Sequence, residues 1–518
     1  MPYLGWPKRS TYFSLLLSAA LILAGYGNSF AQAQLTIQSN PVFSSPTPPE
    51  QNPAPSLKPF PGEVVEFDGP EPPQADLPLQ PSTRTAIRLG DIKLEGNRYY
   101  NTWTIKRHLK PLFDKKGGVF SEDDLKQELN HINRFNKFKV KAIVTHREGA
   151  AGDSVKLNVY EQQPWQLVTT FDNQGRPGTG FYRGSAQIIN RSLFGFGDEV
   201  GVQYIGANRS HRFSTDYRIP LNIRGGEVHV QYAYQSVDYD PDLTPAAVRD
   251  LTGRDQVWTV TLSQPLDKKR VWTPYMSALW RQVVIKRNGE EITNANPRPV
   301  TLGLRYNNSD RFGKTSIDVA PLIVGQHWMG GDSKFYRAKA TLYRSFNLPK
   351  ENQLVFRGAW QVTPDQLPLV QQFQIGGEYT VRGYTEGLIT ADRGQFYSLE
   401  HFWPVPGIGR LYPGLQKSVR GVTFVDFGQA WLDKSSPRYV NGISNKRDRT
   451  TLMAVGFGVR ARMTQYAQGF LDAGWGVFNR NNIELLAQPT IRLHFGIRSN
   501  LLPQPFKKTN RFSQGDLS

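Results

Sequence analysis

From Trp165 to about Arg498 the chain alternates between apolar and polar residues in short runs. Val228, Val230, Tyr232 and Tyr234 fall on one face of a period-two pattern, and His229, Gln231, Ala233 and Gln235 fall on the other. Tyr336, Ala338, Ala340 and Leu342 separate in the same way from Arg337, Lys339, Thr341 and Tyr343, and Leu354, Phe356 and Trp360 face away from Arg357 and Gln361. Near the end Ile491, Leu493, Phe495 and Ile497 alternate with Thr490, Arg492 and His494. One apolar face and one wet, often basic face predict a barrel with lipid outside and water inside. The competing reading is a large soluble β-sandwich or propeller. Against it stand an export-type start, aromatics near strand ends and the lack of a blade period. Roughly 330 residues at about twenty per strand and connector predict about sixteen antiparallel strands.

Ahead of this region, residues 84–163 read differently. Ile87, Leu89, Ile92 and Leu94 predict a strand that stops at the turn signal Gly96-Asn97. A helix is predicted over Thr102–Phe113 with Trp103, Ile105, Leu109 and Leu112 on its apolar side. A second starts at Ser121, whose hydroxyl can cap it ahead of Glu122, Asp123 and Asp124, and carries Leu125, Leu129, Ile132 and Phe135. Val140, Ile143 and Val144, then Val155, Leu157 and Val159, suit two further strands. The predicted order is strand, helix, helix, strand, strand, a small α+β domain. His108 and His131 have no partner at metal-ligand spacing and read as packing or surface residues.

The first residues, 1–33, have the form of a signal peptide: Lys8-Arg9, an apolar run from Tyr12 to Ala24, and Ala31-Gln32-Ala33 as a small-x-small site. That run is too short to cross a bilayer as a helix, and no later segment is long enough without charges. A membrane location is then open only to a barrel. Residues 34–83 are rich in proline and poor in large aliphatics, which predicts an extended tether without a core. Residues 499–518 form a tail after the last alternating strand.

Composition narrows the function classes. A mean hydropathy of -0.48 would suit a soluble protein, but a transmembrane barrel shows only half of each strand to lipid, so low hydropathy does not exclude it. The net charge of +18 is compatible with nucleic acid, anionic lipid or a polypeptide partner; no basic run is dense enough to favour nucleic acid. Cysteine is absent, which excludes disulfides, thiolate metal sites and cysteine nucleophiles. Arg311-Phe312-Gly313-Lys314-Thr315 resembles the end of a phosphate-binding loop, yet Asn308 stands where the upstream glycine is required. No serine elbow, zinc helix or histidine cluster is present, so neither an enzyme nor a cofactor is expected.

Phe373 to Tyr384 interrupts the strands with Gly376-Gly377 and then Val381-Arg382-Gly383-Tyr384. Paired glycines break a ladder, and Gly383 lets the chain turn sharply after Arg382, so the guanidinium can be aimed inward at a fixed carboxylate. The plain alternative is an ordinary Gly-rich loop with a solvated arginine.

Several ordered stretches resemble the hemolysin secretion/activation family of the ShlB/FhaC/HecB type, the two-partner secretion transporters. Gly117 through Asn133, Val159 to Trp165, Asp172-Asn173-Gln174-Gly175 with Thr179-Gly180, and Leu193 to Asp198 are similar to that family's junction between a POTRA domain and the first barrel strands. Val381-Arg382-Gly383-Tyr384 resembles its loop motif, with Asp392-Arg393-Gly394 and Ser398-Leu399-Glu400 following, and Phe424 to Ala430 is a further match. The resemblance implies a sixteen-stranded barrel in the outer membrane of a Gram-negative-type bacterium, a periplasmic POTRA domain, and a loop folded into the lumen. It implies that Arg382 pairs with Asp426 on the barrel wall, that the partner is a large secreted polypeptide with outer-membrane lipid around the barrel, and that the protein works as a monomer. An insertase of the same superfamily and a passive porin are the alternatives. The family usually has two POTRA domains; one is evident here.

Overall fold

The computed structural model describes residues 86–501 apart from 114–118, 136–137, 146–151, 177, 240–250, 328–329, 412–414, 433–448, 465 and 481–490. The signal segment 1–33, the Pro-rich segment 34–83 and the tail beyond Leu501 lie outside the described residues.

An α+β domain comes first. It comprises β1 (Ala86–Glu95), α1 (Thr102–Phe113), β2 (Val119–Ser121), α2 (Glu122–Phe135), β3 (Phe138–Thr145) and β4 (Asp153–Glu161). The sheet order is β2-β1-β4-β3, with β1 and β4 parallel and the outer pairs antiparallel. Ile105 and Leu109 of α1 and Leu125, Leu129 and Ile132 of α2 pack on Phe138, Val140, Val155 and Leu157 of the sheet. The three-residue β2 is absent from the sequence reading, because so short a run carries no periodicity. Ser121 therefore ends a strand as well as capping α2. Its hydroxyl accepts the Asp124 N–H at 3.1 Å while the Asp124 carboxylate accepts the Ser121 N–H at 3.2 Å, a reciprocal cap.

Trp103 corrects the predicted apolar side of α1: it is 63% exposed, and Arg107 stacks over its ring at 4.9 Å. The guanidinium covers one ring face, so the indole can sit on the wet side of the helix. His108 is buried edge-on against Phe138, and burial pushes its imidazole down to about 4, which leaves it a neutral packing group near pH 7.

The second unit of the architecture is a closed barrel from Trp165–Asp172 to Ile491–Asn500, in which neighbouring strands are antiparallel. It contains seventeen strand segments among the described residues, and Glu290–Ala295 with Pro299–Asp310 run on as one stave against Trp272–Arg287, leaving sixteen. Alternation is resolved as predicted: Tyr336 is exposed and Arg337 buried, while Ile491 and Leu493 are exposed and His494 buried. The closing seam pairs Val168–Asp172 with Gly496–Asn500, and the Asn173 side chain prolongs it by bonding the Leu493 carbonyl and the Phe495 N–H, both at 2.8 Å.

The domain is hydrogen-bonded to one rim of the barrel. Glu161 gathers the N–H groups of Arg98, Tyr99 and Tyr100 at 2.6–2.9 Å and so shapes the segment that meets the barrel turn 191–198. Tyr100 Oη donates to the Arg191 carbonyl, and the Asn101 N–H and Thr104 hydroxyl donate to the Gly195 carbonyl. Of these, Glu161 and Gly195 belong to the stretches on which the family resemblance rests.

Candidate functional site: a loop bound inside the barrel

Residues 363–392 join strand Gln353–Val362 to strand Arg393–Pro404 and fold inward rather than over the rim. A small hairpin, Phe373–Ile375 with Ile389–Ala391, makes the stem. At its base the Val370 carbonyl accepts Arg281 Nη1 at 3.2 Å and the Gln371 carbonyl accepts Arg337 Nη1 at 2.6 Å, from two other staves. Arg281 is itself held by Asp255, Nε to Oδ1 at 2.8 Å. Higher in the loop, Ile375, Val381 and Leu388 form one apolar cluster with Phe396, Ala430, Leu452 and Ala454 of the wall. Loop carbonyls lack the N–H partners that a neighbouring strand would offer, and here inward-facing arginines supply the missing donors.

Arg382 sits at the tip with no exposed surface. Its Nε and Nη2 bind the two oxygens of Asp426 at 2.6 and 2.7 Å, and its backbone N–H reaches the same carboxylate at 3.1 Å. Nη1 pairs with Glu400 at 2.8 Å and Asp472 at 3.1 Å, and Nη2 also donates to Ser398 at 3.2 Å. The guanidinium carbon lies 3.3 Å from the centre of the Phe424 ring. Every guanidinium nitrogen thus has a partner, as a cation out of water requires.

Two more arginines complete the cluster. Arg460 forks onto Asp472, with Nη2 to Oδ2 at 2.8 Å, and Arg357 Nη2 reaches Glu400 at 3.2 Å. Three guanidinium groups therefore share three carboxylates, Glu400, Asp426 and Asp472, with no net charge. Such a set is costly to break, because removing one member strands the others.

Steric fit places the tip as closely as charge does. Gly383 has φ +92°, and a Cβ there would lie 2.7 Å from the Gly476 nitrogen. On the wall, a Cβ on Gly474 would stand 2.7 Å from the Gly383 nitrogen, and one on Gly476 would meet the Tyr384 ring at 2.8 Å. Backbone lies against backbone here. Tyr384 Oη closes the contact by donating to the Met453 carbonyl at 3.2 Å.

The structure thus brings Val381, Arg382, Gly383, Tyr384 and Asp426 together. Sequence reasoning missed Asp472, Arg460 and Arg357 as members and left Glu400 without a role. The available signal was charge at lumen-facing parity, as in Leu471-Asp472-Ala473, and the alternate glycines Gly474 and Gly476 beside it.

A sixteen-stave barrel with apolar side chains outside, a charged lumen threaded by its own loop and an α+β domain bonded to one rim defines a transmembrane β-barrel protein of the outer membrane. The chain belongs to the haemolysin secretion/activation protein family ShlB/FhaC/HecB, whose model matches residues 152–461. It is 25% identical over 389 residues to outer membrane transporter CdiB-2 of Burkholderia pseudomallei (strain 1026b), an overlap covering 68% of this chain and 61% of that protein's length. Among solved structures, it superposes on CdiB from Escherichia coli with a TM-score of 0.61 and 18% identity, over 80% of this chain and 76% of the other. BamA from Haemophilus ducreyi lacking POTRA domains 1-3 gives a TM-score of 0.60 at 17% identity, over 80% and 85%. These two likenesses show the shared fold.

Proposed function

We propose that this protein binds an exported, unfolded polypeptide in the periplasm and passes it through the barrel to the cell surface, with the Arg382 loop as a latch that holds the pore's architecture. The observation that carries the proposal is the open edge of β3 on a domain bonded to the barrel rim. β3 pairs only with β4 among the described residues; the Asn133 side chain closes its outer edge at Val140, accepting that N–H at 2.7 Å and donating to that carbonyl at 3.0 Å, and further along, at Ala142 and Val144, the edge has no neighbouring strand on a domain that adjoins the pore entrance. An extended chain adds to such an edge by main-chain hydrogen bonds, whatever its sequence. The name of the CdiB-2 relative supports transport, and a large β-helical exoprotein is the cargo that fits two-partner secretion. The protein acts as a single copy in this reading and needs no cofactor.

The likeness to BamA favours one second reading, an insertase for other barrels. Deleting the gene separates the two. The expected result is the loss of one large polypeptide from the medium and cell surface with other outer-membrane barrels unchanged. A general fall in those barrels, with every exported polypeptide retained, would establish the insertase.

A further inference from the structure

The outer wall carries a second feature, unrelated to the lumen. Strand pairing places His211, Ser236, Arg254 and Val284 in one row across four adjacent staves. Arg254 points outward: its neighbours Gly253 and Asp255 are buried toward the lumen, whereas Arg254 and Thr252 are exposed. Thr252 pairs with Lys286 in the next row, which sets that ammonium diagonally beside Arg254. The side chains between the cations are small, and they floor a shallow pocket of about 650 Å³.

Position gives the pocket its meaning. The next row away from this rim is Phe213, Tyr234 and Gln256, and the one beyond it holds Tyr232, Trp258 and Trp280. Tyr232 and Trp258 lie with ring centres 4.5 Å apart. Aromatic rows of this kind mark the level where acyl chains give way to headgroups. The cationic row stands just beyond them, at the rim opposite the α+β domain, and so at the level of the outer leaflet's headgroups.

The charges there are available. Neither Arg254 nor Lys286 has an ion-pair partner among the described residues. Glu291 lies opposite Lys286 in register without forming a pair, and Asp238 is engaged by Arg209 at 3.3 Å. The His211 ring is bonded to Tyr204 Oη at 2.7 Å, which fixes its edge at the side of the pocket.

We infer that this pocket binds a phosphate group of an outer-leaflet glycolipid, with Arg254 and Lys286 as its two cationic contacts. Arginine offers a fork to phosphate oxygens, and lysine a point charge. The aromatic rows beneath would lie along the acyl chains of the same lipid.

The full-length protein in detergent, titrated with a bis-phosphorylated lipid A and followed by native mass spectrometry, tests the assignment. The wild type should retain the lipid, and Arg254→Gln combined with Lys286→Gln should bind it about tenfold more weakly. Arg311→Gln, in a turn at the opposite rim, should bind as the wild type does. Ser236→Leu, which fills the floor while keeping both charges, should cause a similar loss and guards against misfolding of the double variant. Inorganic phosphate at millimolar concentration should not displace the lipid. Equal retention by the double variant, equal binding of the dephosphorylated lipid, or full displacement by inorganic phosphate would each overturn the assignment.

Discussion

Arg382→Ala is expected to release the loop from the barrel wall and to lower export severely. The substitution removes the cation that Asp426, Glu400 and Asp472 share, leaving Asp426 without a positive partner in a site that excludes water. Breaking a buried pair from one side costs on the order of 3–5 kcal/mol. The loop's apolar anchors, Ile375, Val381 and Leu388, are worth about 1.5–3 kcal/mol each when buried, so a loss of this size takes away a large share of what holds the loop, and it should leave its groove far more often. The barrel should then lose heat-modifiability at a lower temperature, and protease added outside cells should cut within 363–392. Asp426→Asn keeps the shape and one acceptor, and Glu400 and Asp472 still neutralise Arg382, so its effect should be smaller. A protease pattern for Arg382→Ala identical to the wild type would show that charge does not hold the tip.

Gly474→Leu is expected to produce the same release without touching a charge. Its Cβ alone would stand 2.7 Å from the Gly383 nitrogen and 2.9 Å from the Arg382 Cβ, and neither wall nor loop has a flexible side chain to yield there. Overpacking a filled site usually costs about 1–3 kcal/mol, and contact with rigid backbone puts this case at the upper end. Gly184→Leu is the control, since a Cβ at that strand position meets nothing within 4 Å. Loop cleavage should rise in the first variant and stay at the wild-type level in the second. Equal behaviour of the two would mean that the groove is not shaped by its glycines.

Much of this architecture was legible in the chain because a barrel strand has a period of two, and each run of four alternating residues declares both its faces. Helix α2 was legible through Ser121 and the acidic turn behind it. Trp103 misled, since a helical stripe of large residues does not say which of them a neighbouring arginine will cover. The lumen cluster was only partly legible. Arg382 stood out locally through its glycines, and Asp426 followed from the family resemblance. Asp472 is 90 residues from Arg382 in the chain and meets it only once the barrel has closed, so no local pattern links them. Arg281 and Arg337 were hidden for a further reason: they bond to carbonyls of the loop, and a carbonyl leaves no trace in side-chain identity.

In the proposed function a polypeptide moves through this lumen. Gln231 faces inward between buried His229 and Ala233, and a photo-reactive amino acid placed there samples the passage. Illumination of living cells should give an adduct with one large exported polypeptide, and that adduct should fade in a chase as export is completed. Adducts confined to newly made barrel proteins, or none while that polypeptide still reaches the surface, would contradict the account.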